Sequence, residues 1–267
     1  MAKEKLKEPP DPASTDPDKS AVIVRHERKG IYILPNLFTT ASLFSGFYAI
    51  VLAMNGSFDN APLAIFISMV LDGLDGRVAR WTHTESDFGA QYDSLVDMVC
   101  FGLAPALVMY EWALSGLGKL GWLAAFLYAV SAALRLARFN TQIAKVDKHY
   151  FVGLPSPSAA AAVVGLIWVL HSYGVPGKEI SILALILTVL AGALMVSNIP
   201  YRSFKDLDFK GRVPFIAVLA IPLVFVFIFL DPPQTLFAGF MLYTLSGPVT
   251  WLYKFIKARR NRKQGAA

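Results

Sequence analysis

The chain has 267 residues, of which 55% are hydrophobic and 16% charged, with a formal net charge of +6. A mean hydropathy of +0.50 lies well above that of an ordinary soluble domain, so the basic excess reads as a membrane-topology signal, with no nucleic-acid partner. Cys100 is the sole cysteine, which excludes an intrachain disulfide and a cysteine-based metal site.

Residues 1–20 are rich in Pro, Asp and Lys without an apolar period and read as a disordered tail. The stretch AVIVRHERKGIYIL mixes apolar residues with Arg25, His26, Arg28 and Lys29. It suits a segment lying in the membrane interface or a plain charged anchor. Residues 1–30 are thus expected to form a disordered or interfacial lead-in. About thirty polar residues before the first apolar run also argue against a cleavable signal peptide.

Eight apolar stretches follow, near 31–54, 61–81, 90–113, 120–140, 157–173, 180–199, 213–230 and 235–256. Each approaches the roughly 20 residues needed to cross the hydrocarbon core, where backbone groups must pair internally. The expected fold is therefore all-α, a polytopic membrane protein with about eight transmembrane helices. With alternating crossings and a cytoplasmic N-terminus, all but Lys119 and Lys178 of the 25 Lys and Arg residues fall inside. The positive-inside rule then puts both termini in the cytoplasm.

The first membrane helix opens with Pro35-Asn36 and the polar pair Thr39-Thr40. At membrane depth these side chains serve as interhelical bonds or as contacts to a polar headgroup. The second carries Asp72, Gly73, Asp75, Gly76, Ala79 and Arg80, and spacings of three and four place most of them on or near one face. The small residues keep that face thin enough for a phosphate or another helix to reach the backbone. The third begins near Gly89 and brings Asp93 and Asp97, four apart. Charge at the centre of a membrane helix costs about 2.5–3.5 kcal/mol, so four carboxylates call for compensation. Oxygen-only ligation suits Mg²⁺, Mn²⁺ or Ca²⁺, and four carboxylates suffice for two ions. A salt-bridge network with Arg77 and Arg80 is the structural alternative, although two arginines cannot neutralise four acids.

The pattern Asp72-x2-Asp75-Gly76-x2-Ala79-Arg80-x8-Gly89-x3-Asp93-x3-Asp97 resembles, position by position, the signature of the CDP-alcohol phosphatidyltransferases. The resemblance implies a six-helix core, expected over 31–205, and two divalent metals, Mg²⁺ or Mn²⁺ with Ca²⁺ as a possible occupant. It further implies transfer of a phosphatidyl or similar group from a CDP-linked donor to an alcohol, with release of CMP. By resemblance, Asp72, Asp75, Asp93 and Asp97 are metal ligands and Asp97 is also the general base. Gly76, Ala79, Arg80 and Gly89 would line the CDP site, together with Asn36. The family also implies a homodimer.

Three later segments concern the acceptor. They are Arg135-Leu-Ala-Arg138-Phe-Asn140, Phe151 to Ser158, and Met195-Val-Ser197 with Pro200 to Lys205. They resemble those of the bacterial membrane-embedded phosphatidylserine synthases, which implies CDP-diacylglycerol and L-serine as substrates in a bacterial cytoplasmic membrane. The chemistry is compatible. Arginine binds a carboxylate bidentately, which suits Arg135, Arg138 and Arg202, with Lys205 beside them. Ser156 and Ser158 at a helix start are either N-caps or substrate contacts. Glycerol 3-phosphate, inositol phosphate and choline are the other acceptors to consider, and an ion-coupled transporter is the rival of a different class. Residues 206–267 are expected to add two helices and a basic tail, without a motif of their own.

Overall fold

A computed structural model describes residues 33–142, 150–202 and 215–264. The lead-in 1–30 and Lys205 lie outside the described residues. The described residues form eight helical runs: α1 (Ile33–Met54), α2 (Asn60–Thr82), α3 (Asp87–Leu117), α4 (Lys119–Gln142), α5 (Ser156–Ser172), α6 (Ser181–Val196), α7 (Phe215–Leu230) and α8 (Pro232–Gln264).

Four runs are long and apolar enough to cross a membrane: Leu34–Met54, Asp87–Leu117, Lys119–Thr141 and Gly177–Val196. The helix α2 has the length, at 23 residues, but Asp72, Asp75, Arg77 and Arg80 interrupt its apolar run. The helices α5 and α7 are shorter, at 17 and 16 residues. The longest, α8, has 33 residues with Pro248 inside it.

The first two helices pack closely because their facing residues are small. Ser42 Oγ meets Ser68 Oγ at 2.8 Å, and Ser45 Oγ donates to the Ala64 carbonyl at 2.7 Å. Small residues and hydroxyls of this kind let membrane helices approach without a hydrophobic drive. Gly46 carries this contact on to α3: a Cβ there would sit 2.5 Å from Cys100 Sγ.

The third run is not a uniform helix. It is α-helical over Asp87–Asp97, π-helical over Met98–Leu103, α-helical again over Ala104–Met109, and then π-helical and 3₁₀ to Leu117. Pro105 supplies a physical reason, since it has no N–H for the Phe101 carbonyl four residues earlier and its ring crowds that carbonyl. Tyr128 of α4, fully buried, donates its hydroxyl to the Phe101 oxygen at 3.1 Å. A Tyr128→Phe variant should therefore lose about 1–3 kcal/mol of stability, read as a lower unfolding midpoint in detergent. An unchanged midpoint would mean that the carbonyl needs no donor.

One element departs from the all-α expectation. Tyr150–Val152 (β1) and Pro200–Arg202 (β2) pair antiparallel, with Phe151 opposite Tyr201. The ribbon ties the segment before α5 to the one after α6. Its formation explains why α6 ends at Val196 rather than near 199. Ser197 is extended, and Ile199 precedes a proline, a position disfavoured in helices. Gly153 has φ +83°, and a Cβ there would run into the carbonyl oxygens of Met195 and Ser197.

Candidate active site

The C-terminal half of α2 and the start of α3 bring the acids together. Carboxylate oxygens of Asp72, Asp75 and Asp93 lie within 4.8 Å of one another. The carboxyl of Asp97 is in hydrogen-bonding contact with that of Asp72. The turn between the helices is built to permit this. His83 adopts the left-handed conformation (φ 53°) that closes α2, and Ser86 Oγ caps α3 by accepting from the Gly89 N–H at 3.0 Å.

Thr39 of α1 fixes one member of the cluster. Its hydroxyl donates to Asp75 Oδ2 at 2.7 Å, with both side chains buried. Thr40 meets the Tyr92 hydroxyl at 3.0 Å. Both threonines therefore act as bonds between helices, and the one on Asp75 also orients a candidate ligand.

The arrangement fits a cation. Oδ1 of Asp93 and Oδ1 of Asp97 are buried without a hydrogen-bond partner. Among the described residues no arginine or lysine lies within ion-pair distance of any of the four aspartates, the ion pair found being His171 with Asp59 at 3.5 Å. The salt-bridge network expected as the alternative is not formed: Arg77 and Arg80 are exposed, and neither makes an ion pair with the four aspartates. Clustered carboxylates, one buried and three partly buried, with no ion-paired cation are what a hard divalent ion binds. If Asp75 is a ligand, Thr39→Val should weaken Mn²⁺ affinity about 10–100-fold, the usual cost of losing a group that orients a ligand. Titration calorimetry would measure it, and unchanged affinity would remove Thr39 from that role.

Beside the cluster lies a pocket of about 270 Å³ lined by Pro35, Asn36, Thr39, Asp75, Gly76, Ala79, Arg80, Gly89 and Asp93, with Thr84, Glu85, Ser86 and Ala90. All five residues expected at the nucleotide end line it. Gly76 leaves open space, with nothing nearer a Cβ than the Arg80 guanidinium at 3.6 Å. The loop residues Thr84, Glu85 and Ser86 were not foreseen. Thr39 and Pro35 were noticed only as polar or helix-opening positions.

The acceptor candidates separate into groups. Arg135, half-buried on α4, donates to the buried Ser156 Oγ at 2.7 Å and lies within electrostatic reach of Asp97, Tyr128 and Tyr243. Ser156 and Ser158 are buried, and no side chain caps α5, so simple N-capping does not account for them. Arg138 donates to Asn198 Oδ1 at 2.7 Å and Asn140 pairs with Ser94 at 3.1 Å. Both bonds join α4 to neighbouring segments. Arg202 lies in β2 and lines a different cavity against α8. Tyr243 of α8, which no sequence motif marked, donates to the Arg202 carbonyl at 3.2 Å.

Comparison with known proteins agrees with this geometry. Residues 32–197 match the family described as CDP-alcohol phosphatidyltransferase. A Helicobacter pylori protein named CDP-diacylglycerol–serine O-phosphatidyltransferase is 37% identical over 236 residues, covering 88% of this chain and 98% of its own length. Proteins of the same name from Methanocaldococcus jannaschii and Bacillus subtilis are 35% and 34% identical. The first alignment covers 66% of this chain and 77% of the relative, and the second 64% and 91%. The aspartate cluster, its adjoining pocket and these matches together establish that the chain belongs to the CDP-alcohol phosphatidyltransferase family.

Proposed function

We propose that the protein transfers the phosphatidyl group of CDP-diacylglycerol to the hydroxyl of L-serine, giving phosphatidylserine and CMP. The observation that carries this reading is the convergence of Asp72, Asp75 and Asp93, with Asp97 in contact with Asp72, beside a pocket that Asp75 and Asp93 line, and with Arg135 within electrostatic reach of Asp97. The names of the relatives support the choice of donor and acceptor.

In this reading Asn36, Gly76, Ala79, Arg80 and Gly89 hold the nucleotide end of the donor, where Gly76 admits the pyrophosphate close to the α2 backbone. Two divalent cations, Mg²⁺ or Mn²⁺, held by Asp72, Asp75, Asp93 and Asp97, would supply charge neutralisation at the pyrophosphate and the departing CMP. Arg135 receives the serine carboxylate through its two-pronged guanidinium, with Ser156 and Ser158 on the adjoining helix start. Arg138 and Asn140 brace the same end. Lys205 is assigned there by resemblance. Asp97 takes the proton of the serine hydroxyl as its oxygen attacks the phosphorus bearing the diacylglycerol oxygen. The bond from that phosphorus to the CMP oxygen breaks. A carboxylate is a much weaker base than an alkoxide, so alignment of the two substrates carries much of the rate.

The distribution of Lys and Arg supports eight crossings, cytoplasmic termini and an active site on the inner face of a bacterial cytoplasmic membrane. The homodimer rests on the family resemblance alone. One assay tests the function: purified protein receives CDP-diacylglycerol, Mn²⁺ or Mg²⁺, and in turn serine, glycerol 3-phosphate, inositol phosphate or choline, and CMP is measured. Release with serine is the expected result. Release only with another alcohol would reassign the acceptor, and no release with any would overturn the enzyme reading.

A further inference from the structure

A second cavity, of about 520 Å³, lies between the β-ribbon and α8. Its α8 wall consists of Gly239, Leu242, Tyr243, Ser246, Gly247, Thr250 and Lys254, and its other wall of Pro200 and Arg202. Those α8 positions recur every three or four residues, so they form one face of the helix. From Gly239 to Lys254 that face runs about 22 Å at 1.5 Å per residue, somewhat more than one leaflet's share of a hydrocarbon core about 30 Å thick.

The chemistry of the groove changes along its length. At one end Gly239 and Leu242 offer an apolar floor. The hydroxyls of Ser246 and Thr250 come next, and Lys254 closes the other end. A helical side chain leans toward the N-terminus, so the Lys254 ammonium reaches back over Thr250 along the cavity that Arg202 also lines. Both cations are exposed, and among the described residues neither has an acidic partner within ion-pair distance. The cavity has no acidic residue in its lining. The ribbon is held against α8 by fixed contacts: the buried Tyr201 hydroxyl donates to the Thr244 carbonyl at 3.0 Å, and Gly247 is the only residue type that fits against the Tyr201 ring. The groove is thus a fixed feature of the fold.

We propose that this groove binds one anionic membrane phospholipid, with its phosphate between Arg202 and Lys254 and an acyl chain along Gly239 and Leu242. Two cations, two hydroxyls and an apolar stretch along one cavity supply the groups that the head and tail of a phospholipid need. A soluble phosphate would leave the apolar half of the groove unused. The site is separate from the aspartate pocket and does not depend on which alcohol the enzyme uses.

The test measures lipid retention by the full-length protein in zwitterionic nanodiscs, without CDP-lipid or serine. Native mass spectrometry would follow phosphatidylglycerol added at increasing mole fraction. Wild-type protein should retain one phosphatidylglycerol in preference to phosphatidylcholine. Lys254→Gln should reduce that retention about fivefold, the usual effect of one juxtamembrane cation. Gly239→Leu should reduce it by filling the floor, and nothing lies within 4 Å of a Cβ at that position, so the variant should keep its fold. Equal retention in wild type and both variants would overturn the proposal. So would displacement of the lipid by inorganic phosphate at millimolar concentration, which would assign the cations to a soluble anion.

Discussion

Asp97→Asn should lower CMP release by about 10²–10⁴-fold, the range over which a positioned general base contributes, while CDP-diacylglycerol still binds. The substitution keeps the shape of the side chain, and its amide can still donate to Asp72, which Asp97 now contacts. What it removes is the ability to accept a proton and one of the four negative charges offered to the cations. Turnover measured by CMP release and donor binding measured by equilibrium dialysis should therefore part company. Turnover close to the wild-type value would take Asp97 out of the base role, and loss of donor binding alongside turnover would make it chiefly a ligand.

Arg135→Met should raise the KM for serine by about 30-fold to several thousand-fold, corresponding to the roughly 2–5 kcal/mol lost when one partner of a buried charge pair is truncated. Methionine fills most of the volume but leaves Ser156 Oγ without its 2.7 Å donor and withdraws the cation beside Asp97. The KM for CDP-diacylglycerol should change little, since Arg135 does not line the nucleotide pocket. Arg135→Lys should recover part of the effect, because it keeps the charge and loses the two-pronged geometry. A lower unfolding midpoint with an unchanged KM for serine would make Arg135 a structural residue.

The helices and the acids were legible in the sequence because both rest on short-range rules. Apolar runs of membrane length give the helices, and spacings of three and four put Asp72 with Asp75 and Asp93 with Asp97. Convergence of the two pairs followed from two antiparallel neighbours joined by a short loop. The ribbon was not legible, since Phe151 and Tyr201 are fifty residues apart in sequence and three-residue strands carry no periodic signal. The fates of Arg138 and Asn140 were hidden for the same reason: their partners Asn198 and Ser94 come from segments distant in sequence. Tyr243 lay in a helix whose sequence has no motif, and only packing brings it to Arg202 and Arg135. Thr39 was a partial signal, for its polarity was evident while its partner was not.

The π-helical stretch that begins directly after Asp97 has a bearing on how the acids are aimed. In an α-helix each residue advances the side-chain direction by about 100°, so the extra residue carried in a wider turn offsets the angular phase of everything beyond it. The acidic segment Asp87–Asp97 and the buried segment Ala104–Met109 are thereby indexed separately, one toward the pocket and one toward the core. With Pro105 and the Tyr128 hydroxyl holding that offset in place, the number of residues between Asp97 and Pro105 sets an angle as well as a length. The residue count of the stretch is thus constrained apart from its packing, because the loss of one residue would rotate the carboxylates away from their partners on α2.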